Sequence, residues 1–543
     1  MKKYIIMASI AIAASLSSCN DFLDEPARGE QNLDNFFSTQ EACENYVTGC
    51  YGGIVQDDWW QVYNPWLEME MCTENAWMGN CTQSQDDFRS LVAYMPNGQD
   101  NGPSSNFYQY RYKAIFNTNI AIKYISEANI PMSDEIRNRL VAEARFLRGY
   151  YYFELVKVYG GVPLVTKLLT PGEAEGQGRA TIEETYNFIA NDFRFAIKHL
   201  PQKSAQSESD MGRATRGAAL GLYGKALVYQ GKWKQAADTL GLLVEEGEYD
   251  LNPDYGDNFN PEYKNGMESV FEVQHMYNEN YNLGCPLGVI AGNRGAGDQD
   301  GWAWGIPTAY LEHQFKLEGD NVRLRWTIIK NGDKEIAGED DFAAIVEKQG
   351  DKNEDGSYYI SNTDLKSPRI FRKYYVPLKD RGVKFDQTHC PNNWPILRYS
   401  DVLLLYAEAL NELGLDAQAA PLVSKVRERV GLGEVDYLTG DELRQAIRKE
   451  RNLELAGEFH HLFDIRRWID TNGKPVVANL MGPDGKFVKW NTNEETADPD
   501  EFANQREQSD EGINFDINRD MLWPIPLIEI ERSHGAIVQN PGW

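Results

Sequence analysis

A chain of 543 residues in which 54 Lys and Arg stand against 82 Asp and Glu carries a formal net charge of -28. A field of that sign repels phosphate backbones and anionic lipid headgroups, which excludes nucleic acid as the expected partner. The length exceeds that at which one core usually stops growing, and 13 Trp, 29 Tyr and 22 Phe are a heavy aromatic load that needs its own explanation.

The first element is a leader. Met1-Lys2-Lys3 is followed by an apolar run to Leu16 that is too short for a stable membrane anchor, and then by small residues, the pattern of an export signal. Leu16-Ser17-Ser18-Cys19 resembles the bacterial lipobox, in which signal peptidase cuts before the cysteine and its thiol is lipidated. The expectation is a signal peptide over 1–18 and a mature body tethered through Cys19, since no later stretch has the apolar length of a membrane helix. Six cysteines follow: Cys43, Cys50, Cys72, Cys81, Cys285 and Cys390. None has zinc spacing, and a chain this large needs no staples, so they read as buried thiols in the main, with room for one bridge.

Residues 51–110 are loop-rich, with Trp59, Trp60, Trp66 and Trp77 among Asp, Asn and Gln. The spacing Ala144, Leu147, Tyr151, Leu155, Val158 predicts a helix that Gly160-Gly161-Val162-Pro163 stops. Thr181 to Leu200 forms another, with Thr181 as N-cap and Glu184 as its box partner. Gly231-Lys-Trp-Lys-Gln-Ala-Ala and Gly414-Leu-Asp-Ala-Gln-Ala-Ala share the pattern G-x-x-x-Q-A-A, each after an amphipathic run. Helix, glycine turn and helix with small residues at the crossing resembles the tetratricopeptide unit. Residues 275–400 are rich in Gly, Asn and Tyr, and long ordered loops of that kind are usually functional. Within them Asp351, Asn353, Asp355 and Gly356 match the first half of a calcium loop, but position twelve is Asn362 instead of Glu, and a hairpin turn accounts for the same residues. Asp441 to Trp468 reads as a long helix or a helix pair laced with ions. Adjacent His460 and His461 point about 100° apart on a helix, which disfavours joint metal ligation, and the carboxylates at Glu450, Glu454 and Glu458 read as a charge-balanced face.

The run Glu450-Arg451-Asn452-Leu453-Glu454-Leu455-Ala456-Gly457-Glu458-Phe459-His460-His461-Leu462-Phe463-Asp464-Ile465-Arg466-Arg467-Trp468 resembles a signature of the SusD/RagB-type outer-membrane lipoproteins, with His461 where arginine is usual. Glu143 to Pro163, Arg398 to Glu412, Trp523-Pro-Ile-Pro526 and Gln539-Asn540-Pro541-Gly542-Trp543 are similar to further motifs of that family, so the resemblance runs from end to end. It implies a mainly α fold: tetratricopeptide-type helix pairs in a right-handed superhelical scaffold, a large loop-rich ligand-binding part and a few short strands. The implied division is an N-terminal half, 19–250, and a C-terminal half, 251–543, holding the 275–400 insertion, as one compact unit. The implied role is a cell-surface, lipid-anchored protein of the outer membrane that holds an oligosaccharide and caps a SusC-like TonB-dependent transporter as its lid. No cofactor is required, with calcium the one metal the sequence suggests.

A sugar ring offers an apolar C–H face and a rim of hydroxyls, so its binder needs an aromatic plane and fixed amide or charged groups. Those ingredients interleave around Trp77 and around Tyr277 to Asn282, which nominates Trp77, Asn80, Asp58, Tyr281, Arg294 and Trp302 as glycan contacts. Trp77 is the first choice because Gly79 opens room beside it, and its loss is expected to weaken binding without lowering the melting temperature. Trp304, next to a helix start, is expected to be structural. Two rivals remain: a peptide-binding lipoprotein of the same architecture, and a glycoside hydrolase using paired carboxylates, although no spacing identifies a catalytic pair.

Overall fold

The computed structural model describes residues 33–55, 62–79, 90–94, 102–292, 301–330, 369–376, 382–384, 386, 388–482 and 515–543. Its principal helices are α1 (Gln40–Tyr51), α2 (Gly102–Glu127), α3 (Asp134–Tyr159), α4 (Ile182–His199), α5 (Arg216–Tyr229), α6 (Trp233–Glu246), α7 (Leu287–Ile290), α8 (Ala309–Glu318), α9 (Asn321–Thr327), α10 (Tyr399–Glu412), α11 (Asp416–Arg429), α12 (Gly440–Leu455) and α13 (His461–Arg467). Among the described residues the sheet content is three two-stranded antiparallel ribbons. They pair β1 (Ala76–Gly79) with β3 (Trp304–Pro307), β2 (Ser269–Val273) with β6 (Trp394–Arg398), and β4 (Ile328–Lys330) with β5 (Arg369–Phe371). No helix in the described part is long and apolar enough to cross a membrane.

Local chemistry sets these elements where the sequence predicts them. Thr181 and Glu184 form the reciprocal capping box that starts α4, and α3 ends at Gly160, whose φ of 75 needs no Cβ. In the two G-x-x-x-Q-A-A segments the turns are the same to the atom. Gly231 donates to Val228 O and Lys232 to Leu227 O; Gly414 donates to Asn411 O and Leu415 to Leu410 O. Both glycines have left-handed φ, 66 and 72, and every helix of the pairs α5–α6 and α10–α11 has 14 residues. The paired alanines Ala236, Ala237, Ala419 and Ala420 are buried in the crossings, as small residues must be where backbones approach closely. One cluster of buried apolar side chains extends from Phe37 to Ile537.

The acidic ladder that runs along α12 and into the turn after it points inward. Glu450, Glu454 and Glu458 are buried, and their partners come from remote elements: Arg323 of α9 reaches Glu450 and Glu454 at 2.6 and 3.0 Å, and Arg398 reaches Glu454 and Glu458 at 2.9 and 2.8 Å. Arg429 pairs with Glu454 at 2.5 Å and with Glu268 at 2.6 Å, while Lys373 pairs with Glu458 at 2.8 Å. The expected charge-balanced face is therefore an interior ion network in place of a solvated i, i+4 stripe. Spacing along one helix cannot distinguish the two, because the countercharges lie on other segments.

The 441–468 stretch is a helix pair, α12 and α13, broken where Gly457 and Phe459 take positive φ. His460 and His461 diverge: His460 Nδ1 accepts from Lys225 Nζ at 3.2 Å, and His461 Nε2 meets Glu74 Oε1 at 2.7 Å. Among the described residues Cys43, Cys50, Cys72, Cys285 and Cys390 are buried and form no disulfide in the structure.

Candidate functional site

The ribbon β1–β3 is the foundation of the candidate site. Trp77 pairs with Ile306 and Gly79 with Trp304, and the ribbon is bolted to the helical body at one end. Thr308 donates its N–H to Asn75 O at 2.9 Å and its hydroxyl to Glu74 O at 2.6 Å, while its side chain caps α8. Glu74 in turn holds His461, and Asn75 donates to Asn452 Oδ1 at 2.8 Å. Burial works against a charged His461, but Glu74 beside it, with Glu70 and Asp464 nearby, raises its pKa above the ordinary imidazole value.

Trp77 is 2% exposed in this ribbon, with its ring in the core. A stacking platform must show one face to solvent, so the first-choice contact is overturned: Trp77 is buried where β1 pairs with β3. Trp304, 8% exposed, is structural as expected. Trp302 differs from both. It is half-buried, its ring centroid lies 5.2 Å from that of Trp304 at 58°, and its backbone leaves the ribbon to donate to Val289 O at 2.8 Å. Ala303 follows with φ 52 and donates to Gly292 O at 2.9 Å. A Cβ on Gly301 would stand 2.3 Å from Gly292 C, so only glycine lets the two backbones meet here.

Val289 belongs to α7, and the loop leading into α7 carries Tyr281. Asn278 Oδ1 accepts from the N–H groups of Asn280 and Tyr281 at 2.9 and 3.2 Å, an Asx turn that fixes the backbone without using the tyrosine ring. Tyr281 is 66% exposed. The loop is closed by Met276 N donating to Leu283 O, and it is tied to a remote segment by Lys384, whose Nζ donates to Glu279 O at 2.7 Å and whose N–H donates to Tyr277 Oη at 3.1 Å. Tyr277 also lies against His389, with centroids 6.2 Å apart. Asp386, although its burial disfavours charge, is held below the ordinary carboxylate range by hydrogen bonds from His389 and Thr388. Beneath the loop, His275 Nδ1 donates to Leu283 O at 3.2 Å, which leaves Nε2 to accept from Tyr63 Oη at 2.7 Å. Burial lowers the His275 pKa to about 4, so the ring is neutral.

The structure thus brings Tyr281 and Trp302 onto segments joined through α7 and leaves Trp77 in the core. Asp58, Asn80 and Arg294 lie outside the described residues, as do Cys19 and the Asp351, Asn353 and Asp355 segment. Lys384, Asp386 and His389 went unnoticed in the sequence because nothing local marks them as neighbours of a loop a hundred residues earlier. No group of three His, Cys, Asp or Glu side chains is placed to hold a metal among the described residues.

The SusD family model matches residues 256–543, more than half the chain, and a second model, described as starch-binding associating with outer membrane, matches residues 21–227. The chain belongs to the SusD family. "SusD-like protein P2" of Formosa agariphila is 26% identical over the whole of both chains, and a "SusD-like protein" of Bacteroides ovatus is 24% identical over 86% of this chain and 82% of its own. Among solved structures, a SusD-like carbohydrate-binding protein from Bacteroides fragilis is 25% identical with TM-score 0.72, covering 92% of this chain and 99% of its own. A laminarin-binding SusD-like protein has TM-score 0.72 at 24% identity, over 93% of this chain and 100% of its own. A surface glycan-binding protein A from Bacteroides thetaiotaomicron, solved in complex with laminarihexaose, has TM-score 0.71 at 20% identity, over 92% and 99%. The SusD match contains Tyr281, Trp302 and the buried ion network, while Trp77 and its strand lie within the second model's span.

Proposed function

We propose that this protein captures oligosaccharides at the outer surface of the cell and delivers them to a SusC-like TonB-dependent transporter, acting as its lid and anchored through a lipid on Cys19. The observation that carries the ligand class is Tyr281: an aromatic ring 66% exposed, on a backbone pinned by Asn278 and Lys384 so that the ring itself is left for a ligand. Such a ring offers a plane to a sugar's C–H face, and Asn278, Asn280 and Lys384 offer neighbouring polar groups to its hydroxyls. Trp302 is the second aromatic, and Asp58, Asn80 and Arg294 stay within the proposed contact set. The relatives described as binding carbohydrate, laminarin or laminarihexaose support the same ligand class. The protein binds without cleaving.

Titration calorimetry of the purified chain against a panel of neutral oligosaccharides, laminarin fragments among them, and against a peptide mixture tests this. Heat with a glycan and none with peptide is expected; saturable heat with peptide alone refutes the ligand class. Release of reducing ends from a bound glycan refutes the absence of turnover. Co-purification with the transporter, abolished by Cys19→Ser or not, separates anchoring from docking.

A further inference from the structure

Two segments that each carry a buried cysteine meet beneath the Tyr281 loop. Cys285 donates its N–H to Cys390 O at 2.7 Å, and Gly284 donates to Thr388 O at 2.8 Å, so these remote segments run side by side. That direct hydrogen bond puts the two cysteine backbones in contact, the proximity that a disulfide requires. Their sulfurs also converge on one turn: the Leu287 N–H hydrogen-bonds Cys285 Sγ, and at the next residue a Cβ on Gly288 would stand 3.3 Å from Cys390 Sγ. Cys390 Sγ donates to Asp386 O at 3.4 Å and Cys285 Sγ lies beside the Tyr63 hydroxyl, weak sulfur contacts that a bond between the two would replace.

The geometry points to a Cys285–Cys390 disulfide in the exported protein, a covalent clip under the ligand loop. It fastens the start of α7, which carries the backbone partner of Trp302, to the segment that enters β6. Each thiol gives up a proton, the pair gives up two electrons, and the sulfur–sulfur bond forms as the disulfide of an oxidising dithiol carrier in the export compartment is reduced to two thiols. Exchange runs through a mixed disulfide with one cysteine, which the other displaces. Burial pushes the Cys285 thiol up to about 12, so the folded dithiol supplies almost no thiolate. Oxidation therefore precedes closure of the loop, and the finished bond is shielded from reductant. The clip is independent of what the loop binds.

Peptide mapping of the full chain, exported through its own leader, purified without reductant and alkylated with iodoacetamide under denaturing conditions, decides the matter. The expected result is one linked peptide pair containing Cys285 and Cys390, lighter by two hydrogens than the separate peptides and abolished by prior reduction. In Cys390→Ala the Cys285 thiol becomes alkylatable, and the melting temperature falls by several degrees. If that variant fails to fold, the map of the unaltered chain still decides. Alkylation of both cysteines without reduction, or linkage of either to Cys81 or another cysteine, overturns the clip.

Discussion

Tyr281→Ala and Trp77→Ala should separate ligand contact from structure. Covering one face of the Tyr281 ring with a sugar removes roughly 80–100 Å² of apolar surface from water, about 2 kcal/mol at ~25 cal/mol per Å². That corresponds to ~30-fold in affinity. Stability should hardly change, because the ring is 66% exposed and the loop is pinned by Asn278 and Lys384 instead. Trp77 is the reverse: at 2% exposure its truncation leaves a cavity between β1 and the core. Losses of ~3–5 kcal/mol are typical for Trp→Ala at such positions. Calorimetry below the transition and thermal unfolding by circular dichroism read the two quantities apart. Tyr281→Ala with wild-type affinity for every glycan the parent binds would refute the platform, and Trp77→Ala with an unchanged melting temperature would refute its burial.

Glu454→Gln removes the carboxylate that Arg323, Arg398 and Arg429 share in the interior. Leaving buried cations uncompensated should cost ~3–5 kcal/mol in denaturant unfolding, and a cost below ~1 kcal/mol would mean that water enters the network. On the acid side, burial and the adjacent Lys225 lower the His460 pKa to about 3, and burial lowers that of His275 to about 4. The unfolded chain binds these protons near pH 6.5, so the stability they supply is complete above that value and is lost as pH falls toward 3 to 4, by several kcal/mol in all. Urea midpoints across pH 7 to 4 should decline, less steeply in His275→Gln. His461 has the opposite sign: its raised pKa makes the Glu74 pair fully stabilising below pH 6.5 and weaker as pH rises through the folded value, a slope that His461→Gln should remove.

Much of the helical scaffold was legible because its causes are local. A capping box needs only Thr181 and Glu184 three residues apart, and a left-handed turn needs only the glycine at 231 or 414. The two repeats could be aligned from seven residues because each turn is stabilised by hydrogen bonds within its own hairpin. The α12 ladder was half legible. Its period implied pairing, but whether Glu454 faces water or Arg398 depends on β6, which arrives from far along the chain.

The site resisted for the same reason in stronger form. Trp77 and Tyr281 each sit among amides, yet one is 2% and the other 66% exposed. What separates them is a strand partner. Trp77 lies opposite Ile306 in a ribbon that Thr308 and His461 anchor, whereas the Tyr281 loop closes on itself through Asn278 and is held at its flanks by Lys384 and His389, which leave the Tyr281 ring uncovered. Composition identifies residues able to stack on a sugar; exposure is decided by which remote segment covers them. In a chain with this many aromatics a platform needs both a backbone held by something other than its ring and a ring left uncovered: the ribbon gives Trp77 the first and denies it the second, whereas Tyr281 has both.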